Sequence, residues 1–103
     1  MDAYVVVAFT VKDPDLYGEK YAAIAGRTAK EHGGEVIAAG NWEVLHGGGS
    51  LTSGALVRFT DGETALRWYN SPEYQHLIEV RGVAMDARFS LLSGIPTSTE
   101  DER

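Results

Sequence analysis

Tyr4-Val5-Val6-Val7-Ala8-Phe9-Thr10-Val11 is the stretch on which the fold turns. It is β-branched and aromatic almost throughout, which predicts a strand. Both of its faces are apolar, as a central strand covered on two sides requires. Asp13-Pro14 follows at once. Asp accepts hydrogen bonds at a helix N-cap, and Pro suits the first helical position, where its missing N–H would be unpaired anyway. Tyr17, Tyr21, Ile24 and Thr28 then recur at helical spacing, with Leu16 and Ala23 beside them, and Gly33-Gly34 supplies the stop. His32 lies in the last turn, where a cation meets the negative end of the helix dipole.

Working outward, Glu35–Ala39 and Trp42–His46 read as a second strand with a bulge or bend at Gly40-Asn41. His46-Gly47-Gly48-Gly49-Ser50 opens a flexible loop that ends near Gly54, and Ala55–Phe59 reads as the third strand. Asp61-Gly62 leads into a short helix, Glu63–Tyr69. Ser71-Pro72 repeats the cap-plus-proline signal and starts another helix, to about Val83. Ala87–Leu92 is the fourth strand. Residues 95–103 are polar and acidic and are expected to be a flexible tail, which leaves 1–94 as one domain. The order β-α-β-β-α-β predicts an α+β fold, the ferredoxin-like split βαβ with a four-stranded antiparallel sheet.

Composition narrows the function. The chain has 103 residues and no cysteine, which excludes disulfides, thiol catalysis and cysteine-held metals. Its formal net charge of -6 argues against nucleic acid or anionic lipid as a partner. No apolar run approaches the ~18 residues of a membrane span. Met1-Asp2-Ala3 carries no basic stretch before an apolar core, so a cytoplasmic location is expected. His32, His46 and His76 form neither a His-x-His pair nor a His-Glu-x-x-His run, so no metal site is expected, nor any cofactor. The glycine run 47–49 lacks the Gly-Lys-Ser/Thr ending of a phosphate loop, and no Gly-x-Ser-x-Gly nucleophile elbow occurs.

Alternation sorts the strand faces. Val5, Val7, Phe9 and Val11, then Ala55, Val57 and Phe59, then Ala87, Phe89 and Leu91 form wholly apolar sets that should meet the helices. The opposite face carries Tyr4, Val6, Ala8 and Thr10, then Leu56 and Arg58, then Arg88, Ser90 and Leu92. That set is too apolar to stay wet, which marks it as an interaction surface. The simplest cover is a second copy, giving a homodimer whose two sheets close into an eight-stranded barrel.

Several quoted residues carry a resemblance. Tyr-Val-Val-Val at 4–7, Asp13-Pro14, the run Trp68-Tyr69-Asn70-Ser71-Pro72-Glu73-Tyr74, Arg81 and the closing Leu91-Leu92-Ser93-Gly94 resemble the domain-of-unknown-function family thirteen-thirty. That family belongs to the dimeric α+β barrel superfamily, and the resemblance covers about residues 4–94. It implies a homodimer of ferredoxin-like subunits and no established reaction. The wider superfamily includes cofactor-free monooxygenases, isomerases, polyketide cyclases and haem-active enzymes, and fold does not fix which. The Gly- and Ser-rich loop 47–54 departs from the family pattern.

The residues themselves offer a candidate site. Tyr74, Leu77, Ile78 and Arg81 share one helical stripe, and a charge on such a stripe needs a ligand or an ion-pair partner, for which Asp86 and Glu79 are within reach. Arg58 and Arg88 interrupt the mixed sheet face and are expected either to converge on a bound anion, by their planar donor forks, or to pair with carboxylates at the dimer seam. Tyr17, Tyr21, Tyr69 and Tyr74 are candidate proton donors, or core aromatics. His46, beside the glycine loop, is a candidate acid or base. The reading is a cofactor-independent enzyme for a small anionic or phenolic metabolite, of isomerase, cyclase or monooxygenase type. His46, Tyr69 and Arg81 are its catalytic candidates, and Arg58, Arg88, Tyr17 and Tyr21 its ligand-binding candidates. The alternative is a non-catalytic binding module or a structural dimer.

Overall fold

The computed structural model describes residues 1–95. Strand β1 (Ala3–Val11) leads into a helical rod made of α1 (Pro14–Leu16), a π-helical stretch (Tyr17–Ala22) and α2 (Ala23–Glu31). Then come β2 (Glu35–Asn41), β3 (Ser53–Phe59), α3 (Gly62–Tyr69), α4 (Pro72–Gln75), α5 (Ile78–Ala84) and β4 (Met85–Ser93). The strands lie in the order β2-β3-β1-β4, each antiparallel to its neighbours. This is the ferredoxin-like α+β fold expected from the sequence. Residues 96–103, all of the expected tail but Ile95, lie outside the described residues. No described helix is long and apolar enough to cross a membrane.

The helix starts form as their cap residues dictate. Asp13 Oδ1 accepts from Leu16 N at 3.1 Å, Asp61 Oδ1 from Thr64 N at 2.7 Å, and Ser71 Oγ from Tyr74 N at 3.2 Å. At the end of α2, Gly33 takes φ +85° while Gly33 N–H donates to Lys30 O and Gly34 N–H to Ala29 O. These bonds satisfy carbonyls the helix would otherwise leave bare. A Cβ on Gly34 would stand 2.7 Å from the Phe59 ring, so only glycine lets the chain turn this close to the core.

The inward face holds Val5, Val7 and Phe9 of β1 with Val57 and Phe59 of β3, all buried against Tyr21, Ala25, Ala29, Trp68, Tyr74, Leu77 and Met85. On β4, Phe89 is partly buried there, whereas Ala87 and Leu91, expected inward, are exposed. An edge strand has neighbours on one side only, and β4 is one.

Two element boundaries also differ from expectation. The second strand ends at Asn41, and 42–46 is not a strand, because β3 begins opposite Asn41, at Ser53, and offers no further partner. Its irregularity falls at Ile37, between Val36 and Ala38, while Gly40 pairs with Gly54. The helix expected from Pro72 to Val83 is two, since the Leu77 N–H tightens onto Tyr74 O and separates α4 from α5.

Candidate functional site

The rod turns small residues toward the sheet: Ala22, Ala25, Gly26 and Ala29. Ala39 and Ala55 stand on the sheet side of the same space. Small residues on both walls cannot fill the gap between layers, and a cavity of about 180 Å³ remains. Val7, Phe9, Val57, Trp68, Met85 and Phe89 complete an apolar lining, with Tyr17 and Tyr21. Tyr17 and Tyr21, four residues apart, share one helix face, and Ala22, five residues from Tyr17, joins them on the same wall through the wider turn of the π-helical stretch.

Behind the cavity runs a chain of phenols ending in a cation. Tyr21 Oη lies 2.6 Å from Tyr74 Oη. Arg81 Nη1 donates to Tyr74 Oη at 3.0 Å and to Tyr69 Oη at 3.1 Å. The Arg81 guanidinium sits 4.5 Å from the centre of the Phe89 ring and within 6 Å of those of Tyr69 and Tyr74, so aromatic faces cradle the charge. Among the described residues it has no carboxylate partner. Asp86, offered by the sequence, is taken by Lys12 Nζ at 3.5 Å. Burial works against the Arg81 charge, but the bonds to Tyr74 and Tyr69 more than offset it and hold its pKa above the ordinary arginine value.

Burial also pushes the Tyr21 hydroxyl well above the ordinary tyrosine value of 10.0 and raises that of Tyr74. In Tyr21 the neighbouring Tyr74 adds to this; in Tyr74 the bonds to Tyr21 and Arg81 oppose it. A group holding its proton more tightly folded than unfolded stabilises the fold fully below its unfolded value. That stabilisation is lost as the pH rises above it toward the folded-state value. Wild type should therefore lose melting temperature steeply between about pH 9.5 and about 11.5, and Tyr21→Phe less steeply. Melting curves across that range check this, and equal slopes would refute it.

The predicted site residues separate into two groups, with Arg58 apart from both. Tyr17, Tyr21, Tyr69 and Arg81 gather at the cavity and the phenol chain, together with Tyr74. His46 and Arg88 do not join them. They line a depression on the opposite, open sheet face, with Ala8, Trp42 and Ser50. Arg58 and Arg88 do not converge either. Arg58 is in register with Tyr4 and Arg88 with Ala8, four residues apart along β1, on the order of 13 Å. Arg58 instead pairs with Glu35 of the neighbouring strand β2 within one subunit, and Arg88 has no ion pair among the described residues. No residue pattern marked the π-helical turn in advance. The stripe Ala22, Ala25, Gly26 and Ala29 was the one signal of the void, and it reads equally well as close helix packing.

The model of a family described as a domain of unknown function, DUF1330, matches residues 2–95. The chain belongs to the DUF1330 family. This DUF1330 domain matches no curated protein in sequence. Its fold is similar to that of RPA0582, a protein of unknown function from Rhodopseudomonas palustris. The TM-score is 0.75 at 16% identity, over 92% of this chain and 83% of that one. It is similar also to SnoaB, a cofactor-independent oxygenase from Streptomyces nogalater, at a TM-score of 0.59 and 15% identity, over 96% and 98% of the two chains. A dabb family protein with a ferredoxin-like fold from Mesorhizobium loti gives 0.51 at 17% identity, over 92% and 96%. At such identities the likeness is one of fold, and the DUF1330 domain's own residues must carry any functional argument.

Proposed function

We propose that this domain is a cofactor-independent enzyme acting on a small, single-ring phenolic or enolic metabolite, bound between the helical rod and the sheet. The observation that carries the reading is the phenol chain at the cavity: an apolar space of about 180 Å³ with a tyrosine hydroxyl network backed by an arginine that has no carboxylate partner among the described residues. An apolar cavity of roughly 150 Å³ suffices for a benzene ring, so the volume suits one ring. The apolar lining would bind the ring, and Tyr21 would meet its oxygen as hydrogen-bond or proton donor. That one protein of similar fold is a cofactor-independent oxygenase supports chemistry of this kind.

The reading includes a homodimer joined through the open sheet face. Val6 and Leu56 are half-exposed there, Leu92 is 61% exposed, and no described helix covers them. The His46–Arg88 depression lies on that same face and would fall at the seam, outside the reaction.

A thermal-shift screen of single-ring phenols against wild type and Ala25→Leu tests the reading. Leucine at 25 puts three more carbons into the cavity. Wild type should be stabilised by at least one such phenol, by about 2.7 kcal/mol at a hundredfold excess over the dissociation constant. The variant should fold and show no shift. An equal shift in both proteins would place the ligand elsewhere, and no shift with any phenol would end the proposal.

A further inference from the structure

The cavity has a neighbour. A second apolar space, of about 220 Å³, lies between α3 and the β4 side of the sheet, lined by Ala65, Leu66 and Tyr69 from the helix and by Val5 and Leu91 from the strands. The cavity itself reaches the edge strand β2, at Val36 and Ala39, while the second space reaches β4, the opposite edge. Their linings adjoin. Val7 lines the cavity and Val5 the second space, two residues apart on the inward face of β1. Trp68 lines the cavity and Tyr69, next in the chain, the second space. Among the described residues Phe89 alone lines both, and it is in register with Val7, where the two spaces abut.

We propose that Phe89 is the specificity-determining residue of this site: its ring divides one channel into two chambers and so limits the ligand to a single ring. The inference rests on the proposed ligand site and adds what sets the size of its ligand. An apolar cavity of roughly 150 Å³ suffices for six ring carbons; a fused second ring takes the count to ten and the need, on the same scale, to roughly 250 Å³. The cavity alone is too small for that, and the two chambers joined are large enough. The dividing ring is braced. The Arg81 guanidinium lies 4.5 Å from its centre, and the rings of Tyr69 and Tyr74 lie 5.9 Å and 6.2 Å away, centre to centre. A wall packed on this many sides does not yield to a larger ligand without strain. Removing the ring opens the way between the chambers, because Arg81 is tied to Tyr69 and Tyr74 by its own hydrogen bonds and is not free to fill the gap.

The test is calorimetric titration of wild type and Phe89→Ala with phenol and with 2-naphthol, read as the ratio of the two affinities. Wild type should prefer phenol. Phe89→Ala should shift the ratio toward 2-naphthol by about tenfold or more, since one carbon too many in an apolar pocket already costs roughly 10- to 200-fold. A purely structural role for Phe89 would weaken both ligands together and leave the ratio where it was. The double variant Phe89→Ala, Ala25→Leu closes the first chamber and should lose 2-naphthol, which shows that the ligand spans both. Should the alanine variant not fold, Phe89→Leu shortens the wall while keeping most of its volume, and it should shift the ratio the same way by less. An unchanged ratio in the folded variants, wild type that takes 2-naphthol as tightly as phenol, or a double variant that still binds 2-naphthol would each overturn this inference and leave the ligand site standing. Binding of neither ligand by wild type or variants would overturn both.

Discussion

Trp68→Ala should lower the unfolding free energy by about 3–5 kcal/mol, the usual result of emptying a buried aromatic site. Trp68 is 3% exposed. Its ring stacks on Phe59 with centroids 5.5 Å apart and lies 4.6 Å from that of Tyr74. Its Nε1 donates to Thr28 Oγ1 at 3.0 Å, which ties α3 to α2 across the core. Alanine removes the ring, the bond and the wall that Trp68 gives to the cavity. A domain of this size is stable by only about 5–15 kcal/mol, so the loss takes a large share. At about 4–8 °C per kcal/mol, melting should fall by more than ~12 °C. Urea unfolding followed by circular dichroism measures it. Should the alanine variant not fold, Trp68→Phe keeps most of the volume and should cost about 1–2 kcal/mol, mostly the lost bond. A loss under about 1 kcal/mol for alanine would show that Trp68 does not hold the layers together.

Leu56→Asp should dissociate the proposed dimer without unfolding the subunit. Leu56 is in register with Val6 on one side and Ala38 on the other, in the middle of the open sheet face. Within one subunit that position is half-exposed, so a carboxylate there stays hydrated. At a seam between two sheets it would be buried unpaired, once from each copy. An uncompensated buried charge costs about 3–5 kcal/mol, and with one from each copy the dissociation constant should rise by more than about a thousandfold. Equilibrium sedimentation should give a dimer for wild type at micromolar concentration and a monomer for the variant, with matching far-ultraviolet spectra. A soluble wild-type monomer at that concentration sinks the dimer.

What was legible in the sequence was local. Asp13-Pro14, Ser71-Pro72 and Gly33-Gly34 marked helix ends because caps act within three or four residues. Alternation in β1 gave its two faces because strand geometry has period two. What was hidden depended on pairing between distant segments. Arg58 and Arg88 share a face, yet the registers of β3 and β4 on β1 decide how far apart they stand, and no residue near either reports that register. Arg81 was rightly singled out as a charge on an apolar stripe. Its partners were sought among nearby carboxylates, whereas folding supplied two phenols, Tyr69 from the end of α3 and Tyr74 from α4. His46 followed the wrong element, because 42–46 looked like strand by composition but had no strand to pair with.

The strand order also sets a timetable for synthesis. β1 is made before either of its two partners, residues 53–59 and 85–93. Until both exist, an uncharged run rich in valine waits with unpaired backbone on each edge, the kind of segment that adds to any exposed strand it meets. Pairings this distant in sequence also close slowly. A nascent or truncated chain ending before residue 85 keeps one edge of β1 bare, open to another copy of itself.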